Sequence, residues 1–213
     1  QRQCVESLPE YHGVETRILF KDRQNGFWIY THRGLDRLSF TRNKVCPQKI
    51  GNDGEEFIRT IFRDKEGILF VADKNGFVRL FSPTNKAVGY LSGNGSVVKT
   101  PVRFGANVYS MFQDSRGILW IGTKPSGLFR LTKAKNVGFT VKSFTKGTGR
   151  HGINCNSIYA IGEDRYGRIL LGTYGGGLNI IENPTADSPI FANCDNSMPK
   201  YPAEGRFVHD MLI

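Results

Sequence analysis

One unit, written four times, limits what this chain can fold into more than any other feature. KDRQNGFWIYTHRGLDRL from Lys21, RDKEGILFVADKNGFVRL from Arg63, QDSRGILWIGTKPSGLFRL from Gln113 and EDRYGRILLGTYGGGLNII from Glu163 align on their aspartates. Each copy follows a short apolar run, at 18–20, 58–62, 108–112 and 158–162. Then come Asp, two variable residues and Gly, a second apolar run, a polar turn containing Gly, and a third run. The anchors Asp22, Asp64, Asp114 and Asp164 stand 42, 50 and 50 residues apart.

The unit has the chemistry of two hairpins in series. Asp at the first turn position accepts a hydrogen bond from a backbone amide two residues on, and Gly three places later supplies a positive φ without steric cost. Gly67, Gly117 and Gly167 take that place, and Asn25 takes it in the first copy; Asn is the next-best residue for a left-handed position. The second turn carries Gly34, Gly76, Gly127 and Gly177 just before the third run. Trp28, Phe70, Trp120 and Leu170 share one repeat position and predict a shared buried site. Room remains for a fourth strand per unit, near Val45, at 87–91, at 139–144 and at 190–192. No window shows a capped helical period.

A four-stranded unit of about 40–50 residues, repeated, implies an all-β chain of β-propeller blades. A string of independent hairpins would leave an apolar face of each unit uncovered. Blade units are expected at about 14–50, 56–98, 106–147 and 156–200. Residues 207–213 match 107–113 and 157–163, so the first strand of a fifth blade is expected over 206–213. The chain therefore reads as part of a larger, seven-bladed propeller.

Charge separates functional classes. Lys and Arg outnumber Asp and Glu by 29 to 19. Residues 101–150 hold nine basic side chains (Arg103, Arg116, Lys124, Arg130, Lys133, Lys135, Lys142, Lys146 and Arg150) against the single acid Asp114. No basic tail and no basic-aromatic motif of an RNA-binding sheet accompanies them, so no nucleic-acid partner is expected. Cys4, Cys46, Cys155 and Cys194 have no zinc-knuckle spacing, and no metal or cofactor is expected. An oxidising compartment would allow one or two bridges among them.

The third and fourth copies resemble the two-component regulator propeller repeat, in which an Asp-x-x-Gly turn leads into a Trp-Ile-Gly-Thr strand and then a Gly-Leu-Asn/Phe-Arg strand. The resemblance runs over residues 14–183 and returns at 207–213. The first copy departs at Asn25 and Tyr30, and the second has Phe70-Val71-Ala72-Asp73 in place of the Trp-Ile-Gly-Thr strand. The resemblance implies the periplasmic sensor region of a hybrid two-component system of the kind found in gut Bacteroidetes. Such a region has two propellers and a β-sandwich, joined through a membrane helix to a histidine kinase and response regulator, with a homodimer as the full-length form. It also implies recognition of glycan breakdown products and control of glycan-utilisation genes.

Propeller geometry places a ligand at the loops on one end of the strands. The turns between second and third strands present His32, Arg33, Lys74, Asn75, Lys124, Ser126 and Tyr174. The connections into first strands present Arg103, Asn107, Arg150, His151, Asn154 and Asn156. From these, His32, Arg33, Lys74, Lys124, Arg150, His151 and Tyr174 are the expected ligand residues: Tyr174 to stack on a sugar ring, Arg33, Lys124 and Arg150 to take carboxylate or sulfate. The expected ligand is an oligosaccharide, acidic or sulfated. The alternatives are a glycan-active hydrolase or lyase, or a protein-interaction propeller. Against catalysis, the aspartate recurs in every copy, as a turn cap does, and the acid pair Glu55 and Glu56 sits in a loop reading. No single-copy nucleophile with a nearby base stands out, so no catalytic residue is assigned; against a WD-type interaction blade, Gly-His and Trp-Asp pairs are missing from their positions.

Overall fold

The computed structural model describes residues 11–24, 26–38, 40–41, 44–45, 57–134, 138–147 and 152–212. The chain divides into two compact units, Gln1–Ile58 and Arg59–Ile213. In the first unit, β1 (Thr16–Lys21), β2 (Phe27–Thr31) and β3 (Gly34–Leu38) form an antiparallel sheet. The segment near Val45 forms β5 (Lys44–Val45), but β5 pairs with β4 (Phe40–Thr41) in a separate two-stranded sheet and does not complete the first one.

The second unit carries three sheets. The first is β6 (Ile58–Arg63), β7 (Leu69–Asp73), β8 (Val78–Phe81), β9 (Ala87–Leu91) and β10 (Val97–Val98), one strand more than expected. The second is β11 (Asn107–Gln113), β12 (Leu119–Lys124), β13 (Leu128–Lys133) and β14 (Phe139–Phe144). The third is β15 (Ile158–Glu163), β16 (Ile169–Thr173), β17 (Gly177–Ile181) and β18 (Phe191–Ala192). All are meanders of neighbouring strands, as in propeller blades. Expected fourth strands at 87–91, 139–144 and 190–192 are therefore present as β9, β14 and β18.

The repeated aspartate builds the first hairpin of each of the four repeat sheets. In the second sheet of this unit, Asp114 N donates to Ile118 O, Gly117 N to Asp114 O, and Ile118 N to Asp114 Oδ1. Asp64 and Asp164 repeat this arrangement. Gly67, Gly117 and Gly167 have φ of 86°, 84° and 77°, the left-handed position of a type I turn closed by a bulge. Asn25 lies outside the described residues, yet Asp22 Oδ1 still accepts from Gln24 N and Gly26 N.

The second carboxylate oxygen reaches the shared buried position. Trp28 Nε1 donates to Asp22 Oδ2 at 3.0 Å and Trp120 Nε1 to Asp114 Oδ2 at 3.1 Å, with both indoles fully buried. In the fourth copy an arginine takes over, Arg168 Nε donating to Asp164 Oδ2 at 2.7 Å. Phe70 is buried, but Leu170 is only half-buried, because no further sheet stacks on that face among the described residues.

The second copy's departure leaves its second turn intact. Asp73 stands where Thr31, Thr123 and Thr173 stand in the other copies, and its Oδ1 accepts from Asn75 N and Phe77 N. Asp73-Lys74-Asn75-Gly76 thus repeats the first turn, whereas Thr123 and Thr173 close theirs through Oγ1 to Gly127 O and Gly177 O. Asp and Thr are alternative caps for one reversal.

Stacking of sheets forms the core. One cluster joins Phe70, Ala72, Leu80 and Leu91 to Val108, Leu119, Ile121 and Leu131. The next joins Trp120, Leu128 and Ile118 to Ile158, Ile169, Leu171 and Ile181. β12 is accordingly buried on both faces. Close approach explains the glycine in its middle: a Cβ on Gly122 would lie 2.8 Å from Ile158 Cγ2. Gly172 stands in the same relation to Val208, at 2.6 Å. Of the expected fifth first strand, Phe207 bridges Tyr174 and Val208 N donates to Thr173 O, while residues 208–212 form no strand.

Turn corners are also tied from sheet to sheet. Lys65 N donates to Gln113 Oε1, and Ser115 N and Oγ donate to Glu163, so the residues before Asp114 and Asp164 hold the preceding corner.

Two consequences are testable. Asp114→Ala strands the buried Ile118 amide and Trp120 indole N–H, and should cost roughly 3–5 kcal/mol in urea unfolding. In the first unit, burial works to raise the Asp22 pKa, but the Arg37 guanidinium, the Gly26 amide and the Trp28 indole outweigh it, leaving the pKa below the ordinary 3.8. Ionised Asp22 therefore stabilises the fold above that value, and the contribution is lost as pH falls through the lowered folded value. Arg37→Met should speed amide exchange in β2 and β3 near neutral pH, with the difference from wild type closing as Asp22 protonates.

Candidate functional site

The connection into each first strand runs past the second turn of the preceding sheet. Phe104 N donates to Gly76 O, Phe77 bridges Arg103, Gly127 N donates to Asn156 O, and Gly175 N donates to Arg206 O. Residues from two neighbouring sheets therefore meet at one end of the strands.

Between the first two sheets of the second unit this meeting leaves a cavity of about 310 Å³, lined by Asn75, Gly76, Arg103, Asn107, Lys124 and Ser126 among others. Two cations, two carboxamides and a hydroxyl converge there. That set suits an anionic, hydroxyl-rich ligand, with Arg and Lys for its charge and amides for its hydroxyls. The ring of Phe77 supports Arg103, whose guanidinium carbon lies 5.8 Å from the ring centroid.

Lys124 continues this surface onto an aromatic array. Its Nζ lies 5.4 Å from the Tyr174 ring centroid. Tyr174 stacks on Tyr159 at 5.4 Å and 28°, meets Phe207 edge-on at 4.9 Å, and is met edge-on by His209. Tyr159 in turn contacts Tyr109 at 4.6 Å, and the Arg59 guanidinium lies 4.0 Å from the Tyr109 centroid. Arg59 Nε is buried without a hydrogen-bond acceptor, so the Tyr109 ring face is what receives this end of the cation.

Backbone irregularity aims these rings. Register slips by one residue between Val108 and Ser110 and again between Ile158 and Ala160, which leaves Tyr109 and Tyr159 as the extra residues of two β-bulges. A bulge re-aims its side chain away from the sheet's alternation. Arg59, Tyr109, Tyr159 and His209 recur every 50 residues, one per unit. That period was visible in the sequence, but an aromatic beside an apolar residue in a strand reads as core until the bulge is known.

The expected ligand residues are thus only partly gathered. Lys124 and Tyr174 are brought together, and Asn75, Arg103, Asn107 and Ser126 join Lys124. Lys74 is exposed on the Asp73 turn and does not line the cavity. His32 and Arg33 are exposed on the β2–β3 turn of the other unit. Arg150 and His151 lie outside the described residues, as do Glu55 and Glu56. Asn154 has a structural task, donating to Gly176 O and accepting from Asn179 Nδ2.

Much of the basic third copy is spent between sheets. Arg130 Nη1 donates to Pro184 O and Ala186 O, Lys133 pairs with Glu66, Arg116 with Glu163, and Lys142 with Asp187. Arg103 and Lys124 are the basic residues of that stretch that line the cavity.

Comparison with known proteins agrees with this architecture. Residues 103–124 and 152–175, in the third and fourth copies, match the family model of the two component regulator propeller, and these stretches are repeats of that type. No curated protein matches the chain. The extracellular domain assigned to a hybrid two component system of B. thetaiotaomicron superposes with a TM-score of 0.62 at 20% identity, over 90% of this chain and 24% of that one. PorZ of Porphyromonas gingivalis, a surface component of the type-IX secretion system, gives 0.60 at 15% identity, over 84% and 27%. Virginiamycin B lyase of Staphylococcus aureus gives 0.57 at 11% identity, over 84% and 55%. The chain spans about a quarter of the first two, and at these identities the likeness concerns the fold.

If the aromatic array is a packed unit, Tyr159→Leu should remove its central contacts. A loss of about 1–2 kcal/mol in thermal unfolding is expected, with weakened near-ultraviolet tyrosine dichroism, because Tyr109 and Tyr174 both lose a fixed neighbour.

Proposed function

We propose that the chain is the ligand-sensing propeller segment of a periplasmic sensor in a hybrid two-component system, and that it takes an acidic or sulfated oligosaccharide and governs glycan-utilisation genes. The observation that carries this reading is the continuous surface on which Arg103, Lys124 and Tyr174 meet, with carboxamides beside the cations and a half-exposed ring beyond them. Guanidinium and ammonium groups pair with sulfate or uronate, and an aromatic face stacks on a sugar ring. The two component regulator propeller repeats support the sensor context.

Under this reading the segment binds without turnover, and its partners are the rest of the same sensor: further blades, a second propeller, a β-sandwich and, in the full-length homodimer, a histidine kinase across the membrane. The repeated aspartates are turn caps whose carboxylates are occupied by backbone amides, which leaves them unsuited to general acid–base work. A lyase with a related fold keeps an enzymatic reading as the second choice.

Calorimetric titration separates these readings. Uronate-containing or sulfated oligosaccharides should bind the chain with a marked salt dependence, and neutral ones of equal length should not. Lys124→Ala and Arg103→Ala should each weaken binding about ten-fold, equivalent to about 1.4 kcal/mol. A preference for neutral sugars would overturn the ligand class, and turnover of aryl glycosides would favour the enzyme.

A further inference from the structure

The second copy breaks the carboxylate–indole pairing, and the break leaves a space. In the first and third copies an indole N–H of the chain donates to the turn aspartate, and in the fourth Arg168 does so. Phe70 has a shorter ring and no N–H. Asp64 Oδ1 is committed to Glu66 N and Ile68 N, and among the described residues no side-chain donor bonds its Oδ2. Burial pushes the Asp64 pKa up, the turn amides notwithstanding.

Beside it lies a cavity of about 300 Å³. Its walls are mainly apolar, with Ile68, Phe70, Leu80, Val97 and Phe139 among them, and Asp64 is part of the wall. Lys133 and Glu66, which also line it, are paired with each other. An apolar chamber of this size with few polar groups has the character of a small-molecule site.

We propose that this cavity binds a planar aromatic molecule bearing a ring N–H, of the indole class, whose N–H donates to Asp64. The chain itself argues for the chemistry of the occupant: in two sister copies an indole N–H donates to this carboxylate, and here Phe70 fills the core position but brings no N–H, leaving the cavity beside it. The site is separate from the Arg103–Lys124 cavity and does not depend on the oligosaccharide reading. Because the ligand needs an acceptor, its affinity should fall as Asp64 protonates.

The experiment is titration of the full chain with indole and with indene, which has a similar shape but no N–H, followed by calorimetry and by chemical shifts of residues 64–70. Indole should bind about ten-fold tighter than indene. Phe70→Trp should abolish indole binding and raise the melting temperature, as the new side chain supplies its own N–H to Asp64. Asp64→Asn, which keeps the Oδ1 acceptor for the turn, should reduce the indole preference to that of indene. The proposal is overturned if indole does not bind, if indene binds equally well, or if Phe70→Trp binds indole as wild type does.

Discussion

Everything in this chain hangs on a carboxylate placed inside a turn. An aspartate side chain accepts two backbone amides that a tight reversal would otherwise leave without partners, and its other oxygen remains available to whatever the following strand buries two residues in. Local turn and tertiary core are thereby coupled through one residue. The coupling explains why Asp114 is fully buried despite its charge: its donors are amide, indole and, at 3.6 Å, the Arg116 guanidinium. It also explains the variation between copies, in which tryptophan or arginine meets the same need.

A propeller blade cannot satisfy its own faces, so the repeat must also specify its neighbour. Two devices do this. Gly122 and Gly172 open the second strand to the first strand of the next copy, and Gln113 and Glu163 hold the preceding turn corner. The basic third copy adds ion pairs and carbonyl contacts across both of its interfaces. Four of the nine basic residues of that stretch, Arg116, Arg130, Lys133 and Lys142, thus tie sheets together, whereas Arg103 and Lys124 stand at the strand ends.

Legibility followed the range of the interaction. Turn aspartates, turn glycines, the shared indole site and three of the four expected outer strands were readable, because each depends on residues within a few positions. Strand β10 was not, since a two-residue strand has no period to detect. The separation of β4–β5 from the first sheet was equally invisible, as both are short and carry no turn signature of the repeat type. For the candidate site, the place of Lys124 and Tyr174 at strand ends was readable because turns end at predictable places. Tyr109 and Tyr159 were not legible as neighbours of that pair because their aim comes from bulges, which depend on pairing register rather than composition.

That last point bears on how a repeat acquires a function. Positions that cap turns vary little, with Asp heading the first turn in every copy and Asp or Thr the second. The positions that recur every 50 residues are different: neither turn nor core dictates their identity, and they hold Arg59, Tyr109, Tyr159 and His209, the two tyrosines on β-bulges. Successive copies carry these groups into contact, guanidinium on ring and ring on ring, and the series meets Lys124 through Tyr174. A regular scaffold with one unconstrained, repeated position generates a composite array without altering the fold. The array around Tyr174 is therefore assembled from positions that the turns and the core leave open.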